Sequence, residues 1–185
     1  MKKIILSLMI FLLLVGCSNA QNIENEQLAR YESYWNSLLN ETTFMNASRN
    51  FNIEGIIQKS GDLYEYYVVI DEPKTAMYDV EIMIIENKSR FDEYETMVPS
   101  VGIFDAMINM VPYQVRKESN YREGAALGRQ ELSNDEVTLQ IMVMWKNYTK
   151  LESFKEVFEL SLKYETEVVE TNDVENEETE ATQQP

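Results

Sequence analysis

The sequence predicts a mainly β protein, an antiparallel β-sandwich preceded by one N-terminal helix and followed by an acidic tail. Three observations carry that expectation. After residue 50, apolar residues recur with a strand-like period of two, and turn residues interrupt the pattern at short intervals. Before residue 50 the apolar period is helical. The chain has 185 residues; setting aside its two ends leaves roughly 115 for the body, enough for one domain to bury a core without disulfide staples.

In the N-terminal segment, Leu28, Tyr31, Trp35, Leu38, Thr42 and Met45 recur at alternating three-four spacing, with Tyr34 and Leu39 widening the stripe. This predicts an amphipathic helix over 23–46, capped by Asn22, with Glu24 and Glu26 placed where the macrodipole favours them. An exposed stripe containing Trp35 would be a sticky surface, so docking on the body is favoured over a partner-binding or spacer helix.

The body is read as 50–164. Phe51 to Gln58 and Leu63 to Ile70 flank Lys59-Ser60-Gly61-Asp62, a hairpin signal in which Gly61 can take a positive φ. Met77 to Glu86 forms a third strand, with Tyr78, Val80, Ile82 and Ile84 expected on one face. Residues 97–113 are bounded by Pro99 and Pro112; a strand near Val101 to Phe104 and then an irregular or one-turn crossing is expected. Tyr121 to Leu132 is a weak strand. Val137 to Trp145 is a strong one: Val137, Leu139, Ile141, Val143 and Trp145 share a face, and Met142 and Met144 on the other imply burial on both sides. Unbroken alternation predicts a last strand over 156–164, paired to 137–146 across Asn147-Tyr148-Thr149-Lys150. About seven short strands in about 115 residues predict a sandwich of immunoglobulin-like type.

From Glu165 the chain is acidic, rich in Thr, Asn and Gln, and free of aromatic residues. Such a composition cannot bury enough apolar surface to fold, so 165–185 is expected to be a disordered acidic tail. The net charge is −16; removing Lys2 and Lys3 leaves 14 basic against 32 acidic residues, or −18. That balance argues against nucleic acid and bare anionic membrane as partners.

Cys17 is the only cysteine and histidine is absent. Intramolecular disulfides, cysteine-based metal or redox sites, and triads that rely on imidazole are therefore excluded. No cofactor-binding, metal-ligating or catalytic constellation is expected. Among the plentiful carboxylates, Asp71-Glu72 at a turn and Asp79-Glu81 on one strand face are the nearest candidates for two-carboxylate hydrolysis or a loose calcium site. Met107 with Met110, or Met142 with Met144, resembles a soft-metal pair, but methionine in apolar runs reads as core. Among Tyr64, Tyr66, Tyr67 and Tyr78, strand alternation leaves Tyr66, or Tyr64 with it, as the candidate for an exposed binding surface, with core or edge placement favoured over that role.

Lys2 and Lys3 precede a twelve-residue apolar stretch, Ile4 to Val15, too short to span a membrane and of the length of a signal sequence. It runs into Leu14-Val15-Gly16-Cys17, which resembles the lipobox of bacterial lipoproteins. The resemblance implies that residues 1–16 are a signal peptide recognised by the lipoprotein signal peptidase through Leu14, Val15 and Gly16. It further implies that the Cys17 thiol takes a diacylglyceryl group whose palmitate-like chains hold the protein to the membrane, outside the cytoplasm, on a tether of residues 17–22. Two acyl chains suffice for stable anchoring. Ser18-Asn19-Ala20 also allows ordinary secretory cleavage after Ala20, which would release a soluble protein. Within 64–146, Tyr64 to Pro73, Gly102-Ile103-Phe104 and the stretch around Gly124 resemble uncharacterised small lipoproteins of Gram-positive bacteria. The resulting expectation is a non-enzymatic binding or interaction module of the cell envelope, with an envelope protein or small ligand as partner. The alternative is a carboxylate-dependent envelope hydrolase.

Overall fold

The computed structural model describes residues 23–93, 97–113 and 120–165. The expected signal segment, tether with Cys17, Asn22 cap and acidic tail beyond Glu165 lie outside them. The described chain is mainly β, built as two antiparallel sheets facing one another as a sandwich, plus one helix.

Helix α1 spans 23–39. It buries Tyr31, Trp35 and Leu38, while Tyr34 and Leu39 pack at the margin, so the stripe docks on the body. The helix is shorter than the expected 23–46. The Asn40 side-chain amide donates to Asn36 O at 2.7 Å, and Glu41 N closes a tighter turn on Leu38 O at 3.1 Å. Asparagine competes for backbone groups in this way, and the β-branched Thr42 and Thr43 that follow do not favour resumption. Leu28, within the helix, is exposed, and Met45, beyond the helix end, bridges to Phe158, its N–H donating to Val157 O at 2.9 Å.

The strands are β1 (Asn52–Ser60), β2 (Leu63–Asp71), β3 (Met77–Glu86), β4 (Ser100–Val101), β5 (Ile108–Met110), β6 (Ala125–Leu132), β7 (Glu136–Lys146) and β8 (Ser153–Lys163), with a 3₁₀ turn at Phe91–Glu93. The β1–β2 hairpin turns at Gly61-Asp62, where Gly61 has φ 65°. One sheet has the order β1-β2-β6, and the other β4-β3-β7-β8 with β5 also paired to β3. The long β7–β8 hairpin sets Ile141 opposite Phe158.

Two cores lie on opposite faces of the larger sheet. Between the sheets, Val80, Ile82 and Ile84 of β3 and Val137, Leu139, Ile141, Val143 and Trp145 of β7 pack against Tyr66, Val68 and Ile70 of β2. Under the helix, Met83, Ile85, Met142 and Val157 meet Tyr31, Trp35 and Leu38. β3 and β7 are thus covered on both faces, as the continuous apolar run of β7 predicts.

Three strand expectations are corrected. β4 stops at Val101, because Gly102 turns the chain at φ 77° and its N–H donates to Asp105 Oδ1 at 2.6 Å. The expected crossing contains β5, paired to β3. In β3, Tyr78 does not share the core face with Val80; Met77 does. The reason is a bulge: pairing with β7 shifts register between Tyr78 and Glu81, and Asp79 sits at φ 50°. An extra residue reverses the alternation on either side of it.

Candidate functional site

The bulge in β3 shapes a cleft between α1, β3 and the β7–β8 hairpin. Its volume is about 340 Å³, and Arg30, Tyr34, Asp79, Glu81, Met107, Met144, Trp145, Lys146, Ser153, Phe154 and Lys155 line it. Bulges recur beside binding sites because they re-aim side chains. Asp79, at the bulge, and Glu81, two residues on, both line this cleft, as their spacing on one strand face leads one to expect.

Glu81 is buried in the cleft wall. Its Oε1 lies 2.8 Å from Arg30 Nη1, and its Oε2 accepts a 2.8 Å hydrogen bond from the Tyr34 hydroxyl. Arg30 Nη2 also donates to Ile103 O at 2.7 Å, while the Arg30 Nε–H is buried without a hydrogen-bond partner. Arg30 and Tyr34 are four residues apart, so one helical face supplies both groups. Burial, and next the hydrogen bond to Glu81, push the Tyr34 phenol up to about 12.

Asp79 is clamped between two ammonium groups, Lys150 Nζ at 2.7 Å from Oδ1 and Lys146 Nζ at 3.2 Å from Oδ2. The Lys150 hydrogen bond, supported by Lys146 and opposed by burial, holds the Asp79 carboxyl below its usual range. Lys150 also lies 5.5 Å from the centre of the Tyr78 ring. At the outer wall, Trp145 and Phe154 stack with centroids 5.5 Å apart and planes 16° apart, and Phe154 remains 43% exposed. Lys155 reaches Glu41 at 3.5 Å.

The candidate tyrosine surface is not formed, and the favoured core or edge placement is what the structure shows. Tyr66 is fully buried between the sheets, its hydroxyl donating to Glu86 Oε1 at 2.8 Å. Tyr64 is half-buried against Tyr164, with ring centroids 5.5 Å apart. Tyr66 shares strand parity with Val68 and Ile70, whereas Tyr67 and Val69 make the opposite face equally apolar, so alternation alone could not orient β2.

Asp71 and Glu72 border a larger depression of about 640 Å³ with Tyr113 and Tyr121. Met110 and Met142 are core residues, and Met107 and Met144 instead line the cleft. Among the described residues no group of three or more acidic side chains is placed to hold a metal ion, and no helix is long and apolar enough to cross a membrane.

The sequence reading missed Arg30, Tyr34, Lys146, Phe154 and Lys155 as cleft residues. The available signals were the i, i+4 spacing of Arg30 and Tyr34 and the lysines around the last hairpin. No protein family, curated protein or solved structure matches this chain.

Proposed function

We propose that this chain is a membrane-anchored extracytoplasmic lipoprotein whose folded body is a non-enzymatic binding module of the cell envelope. Anchoring runs through a lipid on Cys17, and the α1–β3–β7–β8 cleft takes the ligand or the partner's side chain. One observation carries the binding reading: both carboxylates in the cleft are committed to cations. A carboxylate hydrolase needs one acid that keeps its proton near neutrality. Asp79 departs in the opposite direction, clamped by Lys150 and Lys146, and Glu81 is engaged by Arg30 and Tyr34.

The immunoglobulin-like assignment belongs to the same proposal. Its support is the strand order: β1, β2 and β6 face β4, β3, β7 and β8. Immunoglobulin domains set strands A, B and E opposite C, F and G in this manner, with an added C′ beside C.

The test is the intact mass of the protein extracted from membranes. The expected species begins at Cys17 and carries a diacylglyceryl group, and the Cys17→Ala form accumulates uncleaved. A mature protein beginning at Gln21 without lipid overturns the anchored reading. For the module itself, binding that saturates and is lost when Ser153→Trp fills the cleft is the expected result. Hydrolysis of envelope substrates abolished by both Asp79→Asn and Glu81→Gln overturns it.

A further inference from the structure

Hydrogen-bonding capacity in the cleft is unevenly distributed. Most of its acceptors are engaged: Asp79 Oδ1 and Oδ2 each face a lysine, Glu81 Oε2 accepts from Tyr34, and Glu81 Oε1 lies 2.8 Å from Arg30 Nη1, though buried without a hydrogen-bond partner. Its donors are in excess. An ammonium group has three N–H donors. Among the described residues, Lys146 contacts only Asp79, Lys150 contacts Asp79 and the Tyr78 ring, and Lys155 makes one contact of 3.5 Å to Glu41. The Arg30 Nε–H and Glu81 Oε1 are a buried donor and a buried acceptor that each lack a hydrogen-bond partner, so the excess of donors rests on the lysines.

The charge points the same way. Arg30, Lys146, Lys150 and Lys155 outnumber Glu41, Asp79 and Glu81 by one, in a chain whose net charge is −16. A local positive excess in a concave site concentrates anions.

The apolar part has a defined shape. Trp145 is buried, and Phe154 stacks on it nearly parallel with much of its ring open to solvent, so a flat group can extend the stack. Met107 and Met144 supply adaptable walls. A volume of about 340 Å³ is at the small end for ligand sites and fits a small molecule better than a folded partner.

We infer that this cleft binds a small carboxylate with a flat apolar body, its charge among Lys146, Lys155 and Arg30 and its ring on Phe154. The inference rests on the binding-module reading and specifies its ligand class.

The test uses residues 17–185 with Cys17→Ser, titrated with 2-naphthoate and its neutral isostere 2-naphthamide. Binding is followed by Trp fluorescence and by amide shifts at 144–146 and 153–155. Naphthoate is expected to bind with a Kd of about 0.1–1 mM, as a ligand of this size allows, and at least tenfold more tightly than the amide. Lys146→Gln and Lys155→Gln should each weaken naphthoate about fivefold and leave the amide unchanged, while Lys155→Arg keeps binding; both lysines are half-exposed, so the fold tolerates these changes. Equal affinity for the two probes, or naphthoate shifts confined to other surfaces, overturns the carboxylate assignment. An amide that binds the cleft when naphthoate does not overturns it while sparing the binding-module reading. Displacement of naphthoate by a peptide of residues 165–185 also overturns it, by making the chain's own acidic tail the occupant.

Discussion

The Tyr66 hydroxyl donates a 2.8 Å hydrogen bond to Glu86 Oε1, and Arg129 Nη1 holds the other oxygen of that carboxylate at 2.9 Å. Tyr66 and Arg129 belong to the smaller sheet and Glu86 to the larger one, so this carboxylate fastens the sheets at one end of the core. Tyr66→Phe removes a buried hydrogen bond and should lower unfolding free energy by about 1–2 kcal/mol. Glu86→Leu removes the acceptor for both partners and should cost more. Urea unfolding of the two variants checks the order, and a Tyr66→Phe protein as stable as the wild type would contradict the clamp.

Trp35 is fully buried under α1, and its indole N–H donates to Ser89 O at 3.0 Å. A docked helix makes two consequences follow. Trp35→Ala should cost about 3–5 kcal/mol, as for other large core truncations. Helical and tryptophan signals should be lost together in the wild type, in one cooperative transition. Separate melting of the helical signal would mean that α1 is not integral to the body.

Gly128 and Gly61 should respond differently to alanine. A Cβ on Gly128 would clash with the Tyr66 carbonyl oxygen and meet Tyr67 Cδ1 at 2.8 Å, so β6 would have to move off β2. A Cβ on Gly61 meets nothing within 4 Å, and only its positive φ is unfavourable. Gly128→Ala is expected to cost about 3 kcal/mol by overpacking and Gly61→Ala about 1 kcal/mol by backbone strain. Thermal unfolding of both gives the ranking.

Asp79 makes stability depend on acid. The Lys150 and Lys146 contacts place its folded pKa below the unfolded carboxylate value of about 3.9. Their contribution is therefore present above the unfolded value and is lost as pH falls through the folded one. Asp79→Asn keeps a residue that tolerates the positive φ of this bulge. Urea midpoints should run parallel for wild type and variant above about pH 5, and the wild type should lose the greater part of its lead below about pH 4. A constant gap down to pH 2.5 would show that the lysines do not stabilise the carboxylate.

Tyr34 makes the complementary prediction in alkali. Its phenol, raised to about 12 by burial and by Glu81, favours the folded state up to the ordinary tyrosine range. That contribution is lost as pH rises toward 12. Titration of tyrosinate absorbance should show a late component missing from Tyr34→Phe.

Periodicity and turn chemistry already determined much of this protein in the sequence. The helical stripe of Tyr31, Trp35 and Leu38, the turn at Gly61-Asp62, and the core face from Val137 to Trp145 all depend on neighbours a few residues away, and all are found in the structure. The end of α1 at residue 39 and the bulge at Asp79 were less legible. Competing side-chain hydrogen bonds and a single inserted residue leave no periodic trace. What only the tertiary structure decided is which surfaces meet. Tyr66 and Tyr67 lie on alternate faces of a strand apolar on both, and the facing sheet chose Tyr66 for the core. The cleft likewise needed Arg30, Glu81 and Lys146 to come from three elements far apart in the chain, a convergence set by docking free energy and not by local preference.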